Sequence, residues 1–355
     1  MRFPPPEVVA TWPAPNYVNP VTRGPAVIIV ELITLPLALT CLALRLYVRM
    51  KIMCKSEMDD WMMCGAAFFG TGATICVVLA FARFGWDIHI WDLSLDKMIA
   101  GRQVSFAAQA LFVPATALAK ISILISYLRL APINSLFRRL SIAGIWFVAL
   151  SQIIFFIVLF TQCIPLSSYW NLLNHNRDCL DEAPSLLAQA IATVTSDFIV
   201  WVLPLPALYR AKLPLHQRLA LIVLFSFGAL VVFAACMRTY WIHYVVVETY
   251  DVTWEGFHLW MWTAVEIHLG IICGCVPWLK SLFKFWWSRH TVTDLSGGTG
   301  GHNRTRSDGR RTITERGTLF RMDSVAKSPP GVREKSSYID LERCSGSNDP
   351  ERGLG

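Results

Sequence analysis

Residues 105–132, SFAAQALFVPATALAKISILISYLRLAP, constrain this chain more than any other stretch. They are apolar for about twenty residues, enough to cross a bilayer as a helix at ~1.5 Å of rise per residue. Pro114 lies in the middle, Lys120 lies deeper, and Tyr127, Arg129 and Pro132 end the run. An ammonium in hydrocarbon is costly without a partner, so Lys120 must face other helices rather than lipid. The rest of the chain has to supply that partner.

Six further apolar segments accompany it: 25–47, 61–81, 140–160, 186–209, 219–240 and 257–279. The chain is 54% hydrophobic and 16% charged. A soluble domain carries about 25% charged residues, so this is a membrane composition. The expected fold is an all-α membrane protein, a seven-transmembrane helix bundle. Residues 1–22 hold six prolines and no apolar core with a small-residue cleavage site. The first apolar helix is therefore expected to act as an uncleaved insertion signal. Most of the ten cysteines lie inside apolar runs, where they behave as small buried hydrophobes.

The links between segments set an orientation. Arg45, Arg49, Lys51 and Lys55 follow the first segment, and Arg129, Arg138 and Arg139 follow the third. Arg210, Lys212 and Arg218 follow the fifth, and Lys280, Lys284 and Arg289 follow the seventh. The alternate links are rich in acids, among them Asp87, Asp92, Asp181, Glu182, Asp251 and Glu255, and hold only Arg83, Lys97 and Arg177 as clear bases. The positive-inside rule puts the N-terminus outside and the C-terminus in the cytosol. The net charge of +7 is thus membrane topology and not a nucleic-acid signature. The domain plan is a short Pro-rich extracellular N-terminus at 1–24, a transmembrane domain at 25–290 and a disordered cytosolic tail at 291–355. The tail holds eleven Lys/Arg, nine Asp/Glu and few large apolar residues. Within it, 310–314 and 327–330 resemble kinase sites, and the sequon at Asn303 stays unglycosylated if cytosolic. Residues 279–290 read as an amphipathic helix on the inner leaflet.

In the outer link CIPLSSYWNLLNHNRDC, Cys163 and Cys179 share the oxidising side. They are expected to form a disulfide that shapes a lid; two free thiols are the alternative. Trp86, Trp91, Trp254, Trp260, Trp262, Trp286 and Trp287 fall near interfaces and read mainly as headgroup anchors, a few of them as cavity lining.

Four ionisable residues sit well within segments: Glu31, Lys120, Asp197 and Glu266. Asp197 and Glu266 count to mid-membrane, Lys120 nearer the cytosol and Glu31 nearer the outside. Lys120 differs in depth from either mid-membrane acid by roughly 6–8 Å, a gap lysine can largely span. The expectation is that Lys120 pairs with Asp197, Glu266 or both, as a ligand or switch core or as a static brace. Arg102, Gln103 and Arg238 lie nearer the outer ends, where they line an outer cavity or snorkel to headgroups. The seventh segment has no mid-membrane lysine for a retinal Schiff base, and no metal, hydrolase or P-loop pattern appears. No catalytic residue, metal or cofactor is therefore expected, and the chain is read as a non-enzyme.

Several of these residues form a recognisable set. Asp59-Asp60-Trp61 opens the second segment; Lys120-Ile-Ser-Ile-Leu and Tyr127-Leu-Arg129-Leu close the third. Cys163-Ile-Pro165 and Trp170 precede Cys179, and Ser196-Asp197 leads to Leu203-Pro-Leu-Pro206. Arg238 ends the sixth, and Trp262 to Glu266 leads to Cys275-Val-Pro277. As a set they resemble the fungal rhodopsin-like integral membrane family over residues 25–290. That family includes receptor-like surface-sensing proteins of plant pathogens and members beside secondary-metabolite genes. The resemblance implies a receptor-like protein, in the plasma membrane, that senses an extracellular ligand and signals to a heterotrimeric G protein or other cytosolic partner. The bilayer is its other partner. Tyr127-Leu-Arg129 in place of Asp-Arg-Tyr, and the absence of Asn-Pro-x-x-Tyr, set it apart from receptors of firmer mechanism. A small-molecule transporter, or an accessory membrane protein of a biosynthetic pathway, is the alternative. Pro114, Pro204, Pro206 and Pro277 are the expected bends.

Overall fold

The computed structural model describes residues 4–54, 57–130, 135–170, 178–206 and 215–295. Seven long helices account for most of them: α1 (Ala26–Tyr47), α2 (Met58–Phe84), α3 (Leu95–Leu130), α4 (Leu136–Thr161), α5 (Glu182–Val202), α6 (Leu215–His243) and α7 (Val252–Leu295). Each is long and apolar enough to cross a membrane. Several outrun their apolar segments because polar caps, not the loss of hydropathy, stop them. At the start of α2 the Asp60 carboxylate accepts from the Glu57 backbone N–H, completing a capping box. At its end Gly85 takes the left-handed conformation (φ 70°) that closes a helix without a Cβ penalty. Ser135 Oγ accepts from Arg138 N at 3.2 Å to open α4.

Two expectations about ends are corrected. Pro204 and Pro206 lie beyond α5, which stops at Val202, rather than bending it. Residues 279–290 are helical but continue α7 rather than starting a separate helix. Pro36 and Pro114 lie inside α1 and α3. Expectations on Lys55, Arg177, Arg210 and Lys212, and on the tail from 296 onward with Asn303 and both kinase-like sites, lie outside the described residues. So do the side chains of residues 277–295, Pro277, Trp286 and Trp287 among them.

The chain divides into two compact units, Met1–Arg45 with Glu57–Lys280, and Leu46–Ser56 with Ser281–Gly355. In the first, α3 is central. One apolar cluster joins Ala108 on α3 to Val27 on α1, Val77 and Phe81 on α2, and Phe257 and Trp260 on α7. The other joins Ala117 and Leu124 on α3 to Val148 on α4 and Val200 on α5. Glycines in α2 admit close neighbours: a Cβ at Gly70 would sit 3.0 Å from the Ile267 side chain on α7. α4 is built inside out by soluble standards. Trp146, Leu150, Ile153 and Ile157 form an exposed apolar stripe at helical spacing, while Ser141, Gly144 and Gln152 are buried. Such a stripe suits lipid, which solvates apolar side chains at no cost. In the second unit the described part of Leu46–Ser56 takes α1 into a π-type turn, Val48–Ile52, closed by Met53 N donating to Val48 O at 2.9 Å.

At one end of the first unit Cys163 and Cys179 are bonded and face each other in a two-residue antiparallel ladder, Cys163–Ile164 with Asp178–Cys179. The N-terminal segment covers the same end. Thr22 bridges to Ile88, Arg23 donates to Glu255 Oε1 at 2.9 Å, and Asn16 N donates to Asp92 Oδ1 at 2.8 Å. Replacing both Cys163 and Cys179 by Ser is expected to cost about 3 kcal/mol through freed loop entropy, read as a lower melting temperature in detergent. An unchanged melt would show that the loop is held by other contacts.

Candidate functional site: a charged core under a small cavity

One face of α3 carries a stripe of mostly polar residues. Arg102, Ser105, Gln109, Phe112, Thr116 and Lys120 recur every three or four residues, so they stack on one stripe. Near its foot Lys120, 5% exposed, meets α5. Its Nζ donates to Ser196 Oγ at 2.8 Å and to Thr193 O at 3.2 Å, and lies 3.0 Å from Asp197 Oδ2. Thr193, Ser196 and Asp197 share one face of α5 through their i, i+3, i+4 spacing. The contact with Asp197 is an ion pair rather than an aligned hydrogen bond, since Oδ2 has no hydrogen-bond partner among the described residues.

Glu266, the other acid offered to Lys120, is held elsewhere. Arg238 Nε on α6 donates to Glu266 Oε2 on α7 at 2.6 Å. The Arg238 guanidinium also lies 4.5 Å over the Phe112 ring. Arg238 therefore neither lines the outer cavity nor snorkels; it is 5% exposed in the core, five residues short of the end of α6. Arg238 and Glu266 also act electrostatically on Asp197, so the two pairs form one four-charge, net-neutral cluster across α3, α5, α6 and α7.

Toward the disulfide end the stripe opens into a cavity of about 120 Å³. Arg102 Nη2 donates to Glu182 Oε1 on α5 at 2.9 Å, and its guanidinium lies 4.7 Å over the Tyr169 ring. Burial, reinforced by the Glu182 charge, raises the Tyr169 phenol above its ordinary range and keeps it a neutral hydroxyl. Trp86 and Trp260 also line the cavity and meet edge to face at 6.1 Å, so these two tryptophans are interior residues rather than headgroup anchors. Trp91 and Trp254 instead sandwich the His89 ring, at 4.4 and 3.8 Å, while His89 Nδ1 lies 2.5 Å from Asp251. Among the described residues, three buried donors on cavity-lining side chains have no hydrogen-bond partner: Arg102 Nε, Ser105 Oγ and Trp260 Nε1. Gln103 is exposed on the opposite side of α3 and does not line the cavity.

Glu31 lies apart from this core. It accepts from Thr74 Oγ1 on α2 at 2.8 Å and lies 3.8 Å from His268 Nε2 on α7. A further cluster escapes sequence reasoning altogether. Arg45, counted above among the loop bases, is fully buried. It donates to Asp59 Oδ2 at 2.7 Å, Asp60 Oδ1 at 3.1 Å and the Gly274 carbonyl at 2.8 Å. Ser126 and Arg129 on α3 converge on the same Asp59, and Arg129 also pairs with Glu57. The available signal was Asp59-Asp60 opening a span a short link after Arg45. Antiparallel neighbours joined that way bring those positions level. Arg45→Ala leaves two buried carboxylates short of a cation and is expected to cost about 3–5 kcal/mol. Arg45→Lys should recover little, because one compact ammonium cannot reach acceptors that Arg45 meets from three separate nitrogens, Nε, Nη1 and Nη2. Detergent melting curves and membrane yield check both, and a near-wild-type Arg45→Ala melt would contradict the assignment.

Comparison with known proteins places this geometry. The Fungal rhodopsin domain profile matches residues 44–285. A SAT4 family membrane protein of Emericella nidulans is 30% identical over 217 residues, 60% of this chain and 54% of that protein. Receptor GIN3 of Arthrobotrys oligospora is 23% identical over 266 residues, 72% of this chain and 62% of the relative. Polyenoic acids biosynthesis gene cluster protein Ba17b of Metarhizium anisopliae is 22% identical over 262 residues, 70% and 71% of the two chains. The match spans little more than half the length of the first relative and about three-fifths of the second. No solved structure matches the chain. With seven membrane-length helices and a profile covering most of its length, this chain belongs to the Fungal rhodopsin domain family of multi-pass membrane proteins.

Proposed function

We propose that this protein is a plasma-membrane receptor-like protein that binds a small extracellular molecule in the cavity and relays the event along α3. In this reading residues 1–24 lie outside, 25–290 cross the membrane and 291–355 face the cytosol. The observation that carries it is the stripe Arg102, Ser105, Gln109, Phe112, Thr116 and Lys120, which runs unbroken from cavity to charged core. A ligand that shifts α3 at Arg102 changes the register of Lys120 against Asp197, and of Phe112 against Arg238. The same helix ends in Arg129, paired with Glu57 and Asp59 beside the start of α2. A heterotrimeric G protein or another cytosolic partner would read the change there. A relative that carries the name Receptor GIN3 supports this reading.

The cavity also restricts the ligand. Glu182 already balances Arg102, so a net charge is not called for, while three idle donors ask for acceptors. A volume of about 120 Å³ suits a single ring. The second reading, an accessory membrane protein of a biosynthetic pathway, is favoured by the relative named for a polyenoic acids gene cluster. A transporter would use the charged core as its path.

The test is a signalling assay in cells expressing the full chain, exposed to ring-sized carbonyl and hydroxyl compounds with benzaldehyde as the reference probe. Arg102→Ala is expected to weaken the response about tenfold or more, equivalent to ~1.4 kcal/mol, at unchanged surface level. Uptake of the same compounds into vesicles holding only this protein would favour the transporter. Reporter tags should place the two termini on opposite faces of the membrane; tags on one face would contradict the topology.

A further inference from the structure

Glu31, Thr34, Thr74 and His268 form a closed hydrogen-bonded group between α1, α2 and α7. Glu31 is 2% exposed and His268 fully buried. Among the described residues no lysine, arginine or further carboxylate lies within ion-pair distance of either. Two residues away on α7, Glu266 faces Arg238 instead.

Counting hydrogens shows what the group lacks. Thr34 Oγ1 has one hydrogen and lies 2.7 Å from both Val30 O and His268 Nδ1; with that hydrogen directed at Val30 O, the contact with His268 is donated by Nδ1–H. In a neutral ring Nε2 is then an acceptor. Thr74 has one hydroxyl hydrogen and two acceptors within reach, Glu31 Oε2 at 2.8 Å and His268 Nε2 at 3.2 Å. It cannot serve both. With Glu31 ionised, the hydroxyl turns to Oε2, Nε2 is left without a donor, and an uncompensated negative charge sits at membrane depth.

One added proton removes both defects. We propose that Glu31, Thr74 and His268 are an intramembrane proton-binding site whose occupancy reverses the hydrogen-bond relay through the Thr74 hydroxyl. The proton forms an O–H bond at Glu31 Oε2 and is donated to Thr74 Oγ1. The Thr74 hydrogen swings to His268 Nε2, and Nδ1–H goes on donating to Thr34 Oγ1. The one bond broken is an O–H of the hydronium ion that delivers the proton from the medium; within the site every donor has an acceptor and the net charge is zero. Passing the proton on to Nε2 would give an imidazolium–carboxylate pair with the same proton count. Burying two charges is the dearer arrangement, so the proton rests on Glu31. The site is independent of the cavity and of the receptor reading; its ligand is the proton, and its occupancy ties α1, α2 and α7 together.

Infrared spectroscopy of the full chain in nanodiscs tests this directly. At neutral pH the wild type is expected to show a protonated-carboxyl C=O band that is sensitive to deuterium exchange and absent from Glu31→Gln. Thr74→Val, which removes the acceptor of the Glu31 proton, should shift the band rather than abolish it, and this variant decides the matter if Glu31→Gln does not fold. A wild type without the band, or a band that neither substitution alters, would overturn the proposal.

Discussion

The interior of this bundle is governed by the cost of charge in a medium that cannot solvate it. Lys120 expresses that constraint most plainly. Its ammonium has three donors, and α5 offers Ser196 Oγ, Thr193 O and the Asp197 carboxylate. The same demand shapes Arg238 with Glu266 and Arg45 with Asp59 and Asp60. Each pair joins different helices, so each fixes how two or more helices stand against each other. Such pairs add little net stability, because desolvation offsets most of their attraction. Their effect is on specificity: a helix turned or slid out of place would strand a charge in hydrocarbon.

This arrangement gives the two ends of α3 different surroundings. At the disulfide end the helix borders a small cavity with unpartnered donors. At the other end Ser122, Ser126 and Arg129 grip the start of α2, where Arg45 also reaches the Gly274 carbonyl of α7. The neutral four-charge cluster lies between them. Both ends therefore report on the position of one continuous helix, which is the physical content of the receptor reading.

How much was legible in the sequence follows from what a sequence can measure. Counting residues along a helix gives height in the membrane, and height put Lys120 within reach of Asp197. It does not give azimuth, the direction a residue faces around the bundle. Glu266 stands at the right height but faces Arg238. Gln103, next to Arg102, faces out. Glu31 meets Thr74 and His268, not Lys120. Arg45 was miscounted as a loop base because its height, at the edge of a span, is equally that of a topology signal. Only the packing of α1 against α2 shows it buried. The Cys163–Cys179 bond needed no azimuth, since a short link left those two cysteines on one side.

The central claim is that the Lys120–Asp197 pair is a switch and not only a brace. A double-mutant cycle with Lys120→Met, Asp197→Leu and both together, read for melting temperature and for ligand-evoked signalling, tests it most directly. The account predicts that each single change destabilises the protein by stranding one charge, that the double variant folds nearly as well as wild type, and that it still fails to signal. A double variant that regains both stability and signalling would reduce the pair to a brace and contradict the account.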